Sequence, residues 1–139
     1  MPDLRKELIS IYAKKSHIQL VEFGIMLTHH IIEVTHFTPD ALIHTAFEVS
    51  KKWLNSEVSI NDVRQIGFKI HELARRSKDA TIQTIYRVIG HALSSAHMKE
   101  HAIVASDYAI KVINLLYLDD IEAVKNEREV QIKLINEIK

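Results

Sequence analysis

The sequence predicts an all-α, single-domain bundle of six or seven helices spanning residues 1–139. Three observations lead there. Only three glycines and two prolines occur in 139 residues, too few to build hairpins, phosphate loops or a many-stranded sheet. Apolar residues recur at a spacing near 3.6 along almost the whole chain. Every break in that rhythm except the one before His101 falls beside a Ser, Thr, Asp or Asn able to cap a helix. At 47% hydrophobic and 26% charged, the composition is that of a globular chain rather than a disordered one. A domain of this size buries roughly 68% of its unfolded surface, enough for a core without staples. With no cysteine, a disulfide scaffold, thiol catalysis and a thiolate zinc site are all excluded.

In chain order, Asp3 caps a short helix marked by Leu4, Leu8, Ile11 and Tyr12. Ser16 caps a second, from His17 to about Val34, apolar around most of its circumference and therefore central. Thr38-Pro39-Asp40 reads as a restart, with a capping hydroxyl followed by proline at the first helical position. Leu42, Ala46, Val49 and Trp53 stripe the helix it opens, which breaks at Asn55 to Val58. Ser59 with Asp62 resembles a reciprocal cap for a fourth helix striped by Val63, Ile66, Ile70, Leu73 and Ala74. Ser77-Lys78-Asp79 separates it from a fifth, on which Ile82, Ile85, Tyr86, Ile89, Leu93 and Ala96 share a face. A sixth runs from about His101 to Tyr117 and is apolar on several faces, which predicts an internal position. Asp119-Asp120 cap the last, from Ile121 to about Ile138.

No export signal is read at the N-terminus, where charges are spread through MPDLRKELISIY. The most hydrophobic stretch, Ile18 to Val34, carries Glu22, His29, His30 and Glu33, and a spanning helix needs about 20 mostly apolar residues. A soluble, cytoplasmic protein without membrane contact is expected.

Nine histidines raise the question of a metal. His97-Met98-Lys99-Glu100-His101 fits the inverted zinc-protease pattern H-x-x-E-H, in which two histidines one turn apart would ligate and Glu100 would activate water. The periodicity, however, places a helix boundary near Lys99, which separates the two rings. His29 and His30 point about 100° apart on a helix, and with His36 and His44 they form at most a loose cluster. Ser94-Ser95 near His91 or His97 could suggest a nucleophile and base, but they lie in a run of small residues from Gly90 to Ala96 suited to close helix packing. No catalytic residue, cofactor or metal is expected. Arg64 to Lys78 is the densest basic segment, yet it contains Glu72, and zero net charge gives no field for phosphate, so nucleic acid is not an expected partner.

Charge is uneven along the chain. Residues 1–99 carry 13 basic and 10 acidic side chains, and residues 100–139 carry 5 and 8. Asp119, Asp120, Glu122, Glu127 and Glu129 read either as capping plus a wet helix face or as a patch that steers a basic protein partner.

Three segments, Trp53 to Ser59 with Asp62 to Arg64, Gly90 to Ala109, and Glu127 to Gln131, together resemble the small all-helical immunity proteins that accompany bacterial polymorphic toxins. Trp53 to Ser59 leading to Asp62-Val63-Arg64 is similar to that family's tryptophan-ended helix, short acidic turn and arginine-containing restart. Gly90-His91-Ala92 through Ala96-His97 to His101-Ala102, then Tyr108-Ala109, is similar to its small-residue helix and following corner. Glu127 to Gln131 is similar to its closing helix, with Val130 where tryptophan is common. The resemblance implies structural roles for Trp53, Arg64, Gly90, Ala92, Ala96, His97, His101 and Tyr108. It also implies a non-enzymatic protein that neutralises a toxin domain by occluding its active surface. A helical scaffold or homo-oligomeric module is the alternative.

Overall fold

A computed structural model describes residues 3–139. It contains seven helices and, among the described residues, no strand. They are α1 (Leu4–Tyr12), α2 (His17–Thr35), α3 (Ala41–Leu54), α4 (Ile60–Arg76), α5 (Ala80–Ser94), α6 (His101–Leu116) and α7 (Ile121–Glu137).

Local chemistry fixes most helix starts. The side chains of Asp3, Ser16, Asp40, Ser59, Asp79 and Asp120 each accept a backbone N–H in the first turn of the following helix, and Ser16–Gln19 and Ser59–Asp62 are full reciprocal capping boxes. At α3 the reading of Thr38 as cap and Pro39 as first helical residue is corrected. Asp40 reaches the Ile43 N–H at 3.1 Å, so the helix begins one residue after it and Pro39 lies outside. Two helix ends use residues other than glycine in the left-handed region. His36 (φ 55°) and Ser56 (φ 60°) let Phe37 and Glu57 donate back to the carbonyls of Ile32 and Lys52, which satisfies the last turns of α2 and α3.

The core is one cluster. Phe23, Leu20, Leu27 and Ile31 of α2 are fully buried among Leu8, Ile43, Val63, Ile70, Val88 and Ile135. α2 packs against α3, α5, α6 and α7, which is why its apolar residues run round most of its surface. α5 is the second hub, in contact with α2, α3, α4 and α6. α6 buries Ala102, Ala105 and Ala109 and packs on α2, α5 and α7, but it is not fully enclosed: Leu116 at its end is exposed.

One polar network crosses this core and holds α7. Glu127, Arg128 and Gln131 occupy the buried stripe of α7, with Gln131 wholly inaccessible. The Glu127 carboxylate accepts from His30 Nε2 of α2 at 2.7 Å and from Gln131 Nε2 at 3.1 Å. Gln131 also donates to the Ser106 carbonyl of α6, and its oxygen accepts from Arg128 Nη1 at 2.9 Å. Arg128 Nη2 donates to Asp107 at 2.7 Å, and the same carboxylate is held by Arg5 of α1 through bonds of 2.9 and 2.8 Å. Burial pushes the Asp107 carboxyl up, but hydrogen bonds from Arg5 and Arg128 outweigh it and hold the pKa below its ordinary value. No buried side-chain polar atom among the described residues lacks a partner.

Close backbone approach between α2 and α5 depends on Gly24, where a Cβ would lie 2.9 Å from the Ala92 carbonyl oxygen. A Cβ at Gly67 would meet side-chain atoms alone, the Ser94 hydroxyl at 3.4 Å and the Leu93 Cδ2 at 3.9 Å. Gly24→Ala is therefore expected to destabilise the fold by about 1–3 kcal/mol through overpacking. Gly67→Ala is expected to be neutral or to stabilise by up to about 1 kcal/mol through helix propensity. Urea unfolding of both variants checks the contrast; equal effects would contradict the packing described.

Candidate protein-binding surface

The largest exposed apolar side chains gather where α6 turns into α7. After Leu116 the backbone leaves the helix at Tyr117 (φ −128°, ψ 75°), and Asp119 adopts φ 57°, a conformation Asp tolerates better than most residues. The Asp120 N–H donates to the Tyr117 carbonyl, and an Asp120 oxygen accepts from the Ala123 N–H at 3.0 Å to start α7. This tight turn leaves Leu118 and Ile121 77% exposed each, with Tyr117 and Leu116 also exposed beside them. Leu118, Ile121 and Val124 line a shallow cleft with Asn114, Asp119 and Asp120. A neighbouring groove continues from Ile121 and Val124 to Leu4 and Arg5 of α1. Four clustered large apolar groups in water are an unusual use of hydrophobic surface and mark an interaction site more than scattered single residues do.

Of the five acids expected to form a patch, Asp119, Asp120, Glu122 and Glu129 are exposed. Glu127 is not among them. It is only 4% exposed and belongs to the interior network, because on α7 it falls on the same stripe as Gln131 and Ile135. Asp119, Asp120 and Glu122 adjoin the apolar corner, whereas Glu129 lies two turns along the wet face of α7.

The residues picked out through the family resemblance fall elsewhere. Trp53 is half-buried at the end of α3, its ring 5.5 Å from that of His17. Arg64 is exposed, its guanidinium 5.9 Å over the Phe68 ring. Ala92 and Ala96 are buried. A Cβ on Gly90 would lie 2.7 Å from the His71 ring, so the glycine makes room for that histidine. His97 is exposed in the turn between α5 and α6, and His101 opens α6. The two are thus not on one helix, and no group of three or more potential ligands able to hold a metal occurs among the described residues. Ser94 and Ser95 donate their hydroxyls to the carbonyls of Gly90 and Ala92.

What the sequence reading did not bring together is a ladder of rings between α4, α5 and α6. His91 Nδ1 lies 3.0 Å from His101 Nδ1, so one nitrogen carries a proton and the other accepts it. The His91 ring stacks on Tyr108 at 5.1 Å and meets the edge of His71 at 4.8 Å. Arg87 Nη1 donates to His71 Nδ1 at 2.7 Å, which requires an uncharged acceptor. Burial, reinforced by Arg87 and the neighbouring histidines, lowers the pKa of His71 to about 4. Burial with His71 and His101 does the same for His91, also to about 4, and burial with His97 lowers His101.

A family model described as Imm-5 like putative immunity protein matches residues 10–138. The chain belongs to that family. The match takes in α2 to α7 and the end of α1, and so includes the ring ladder, the exposed corner and all of the interior network except Arg5. No curated protein and no solved structure matches the chain. No helix among the described residues is long and apolar enough to cross a membrane.

The ladder has a pH consequence. An unfolded histidine titrates near 6.5, above the folded values of His71 and His91. Between about pH 6.5 and 4 the unfolded chain therefore binds more protons, and stability falls as pH drops through that window. Thermal unfolding followed from pH 7.5 to 4.5 is expected to show a Tm loss of at least about 5 °C, reduced by about half in His91→Gln, where His71 still resists protonation. A flat profile above pH 5 would contradict the neutral ladder.

Proposed function

We propose that this chain is a cytoplasmic, non-enzymatic immunity protein that binds a cognate toxin domain and neutralises it by covering its active surface. The observation that carries the reading to a place on the molecule is the α6–α7 corner. There Leu116, Tyr117, Leu118 and Ile121 stand in solvent beside Asp119, Asp120 and Glu122. Occlusion needs no catalytic group. It needs roughly 800 Å² of surface on each partner and a few anchoring side chains within a polar rim. Apolar anchors ringed by acids suit a partner whose surface combines an apolar recess with basic residues. A toxin acting on nucleic acid has such a basic surface, since it must hold phosphate. Membership of an immunity family supports the role, and the hydroxyl bonds of Ser94 and Ser95 and the split His97–His101 pair agree with a protein that works by binding.

The test is co-expression with the toxin-like domain encoded beside the gene, followed by affinity measurement on the purified pair. Survival that depends on this chain is expected. Leu118→Ala with Ile121→Ala is expected to weaken binding at least tenfold, about 1.4 kcal/mol. Asp119→Lys with Glu122→Lys is expected to slow association about tenfold at low salt, an effect that fades as salt screens the field. Wild-type affinity and on-rate in both variants would remove the corner as the binding surface. Absence of rescue from a demonstrably toxic neighbour would remove the immunity role itself.

A further inference from the structure

We propose that this chain associates head-to-tail with a second copy of itself, the acidic apolar corner of one molecule seating on the basic aromatic face of α4 on the next. α4 is strongly two-sided. Val63, Gly67, Ile70 and Ala74 are buried, and at about 100° per residue Arg64, Phe68 and Arg75 fall within one narrow stripe on the solvent side. Phe68 is 56% exposed under the Arg64 guanidinium, and Ile60 at the start of the helix is also exposed. Of the two acids on the helix, Asp62 is engaged in the cap with Ser59 and Glu72 is taken by Arg76 at 2.6 Å, and among the described residues Arg64 and Arg75 have no ion-pair partner. The result is an exposed aromatic group framed by two uncompensated cations.

The corner offers the complement: Leu118 and Ile121 framed by Asp119 and Glu122, likewise without ion-pair partners among the described residues. The two faces cannot meet within one molecule. α4 packs on α3 and α5, α7 packs on α1, α2 and α6, and α5 and α6 stand between them. Complementary patches on two separate surfaces make a heterologous contact, which adds copies in a row instead of closing a two-fold dimer. Zero net charge removes the self-repulsion that would oppose it. Four side chains on each face, Ile60, Arg64, Phe68 and Arg75 against Leu118, Asp119, Ile121 and Glu122, place the contact at the small end of interfaces, so the association is weak. Because the corner is also the surface proposed for the toxin, a bound partner and a second copy would exclude one another.

The inference does not depend on the immunity reading and is tested on the pure protein by sedimentation equilibrium from about 5 μM to about 1 mM. The expected mass rises above 16.0 kDa at the upper concentrations. Raising salt from about 0.05 to 0.5 M is expected to increase the dissociation constant at least about tenfold. Asp119→Lys with Glu122→Lys, and separately Arg64→Glu with Arg75→Glu, are each expected to give a monomer, and an equimolar mixture of the two variants to associate again. A constant monomer mass in the unmodified protein overturns the proposal. So does association that survives either variant, or a mixture that stays monomeric.

Discussion

A carboxylate, a guanidinium and an amide from consecutive turns of α7 lie inside this protein, and the placement of four helices follows from satisfying them. A buried charge without partners costs several kcal/mol, so Glu127 and Arg128 can enter the core only where His30, Gln131, Ser106 and Asp107 meet them. Those partners come from α2, α6 and α7, and Asp107 in turn fixes Arg5 of α1. Apolar contacts alone tolerate small slips of a helix along its axis; a chain of hydrogen bonds between 2.7 and 3.1 Å does not. The register of α7 is thereby set, and with it the position of Leu118, Asp119 and Ile121 at its start.

On the far side of the bundle, α5 joins two kinds of packing. Toward α2 it presents Ala92 to Gly24, and the backbones approach until no side chain fits between them. Toward α4 and α6 it presents His91, whose neutral ring fills space and bonds to His101. The α4 and α7 surfaces that remain carry opposite charge, a separation already present in the uneven distribution of acids and bases along the chain. Core and surface are linked at α7: the helix that buries Glu127, Arg128 and Gln131 also displays Ile121 and Glu122 at its start.

Much of the helical architecture is legible in the sequence because its determinants are local. Asp3, Ser16, Ser59 and Asp120 cap where their positions say they should, and the apolar spacing gives each buried face. Thr38-Pro39 misleads by one turn of reasoning, since three adjacent residues could each begin a helix and only the Asp40 carboxylate reaches an N3 amide. Glu127 is the instructive failure at the site. Charged residues are normally solvated, so it joined the acidic patch, although its position four residues before Gln131 and eight before Ile135 puts it on the buried stripe. The ring ladder was out of reach for a different reason. His71, His91 and His101 are 30 residues apart end to end, and nothing local says that three helices converge there. The exposure of Leu118 and Ile121 likewise depends on which elements fail to cover them.

The claim that the interior network sets the position of α7 is tested most directly by the unfolding free energy of Arg128→Met, which keeps an unbranched apolar stem and removes the guanidinium with its charge and donors. Gln131, Ser106 and Asp107 would each lose a partner in or near the core. The loss is predicted to be about 3 kcal/mol or more, as for one member of a buried ionic cluster. A loss below about 1 kcal/mol, the worth of an exposed ion pair, would contradict it.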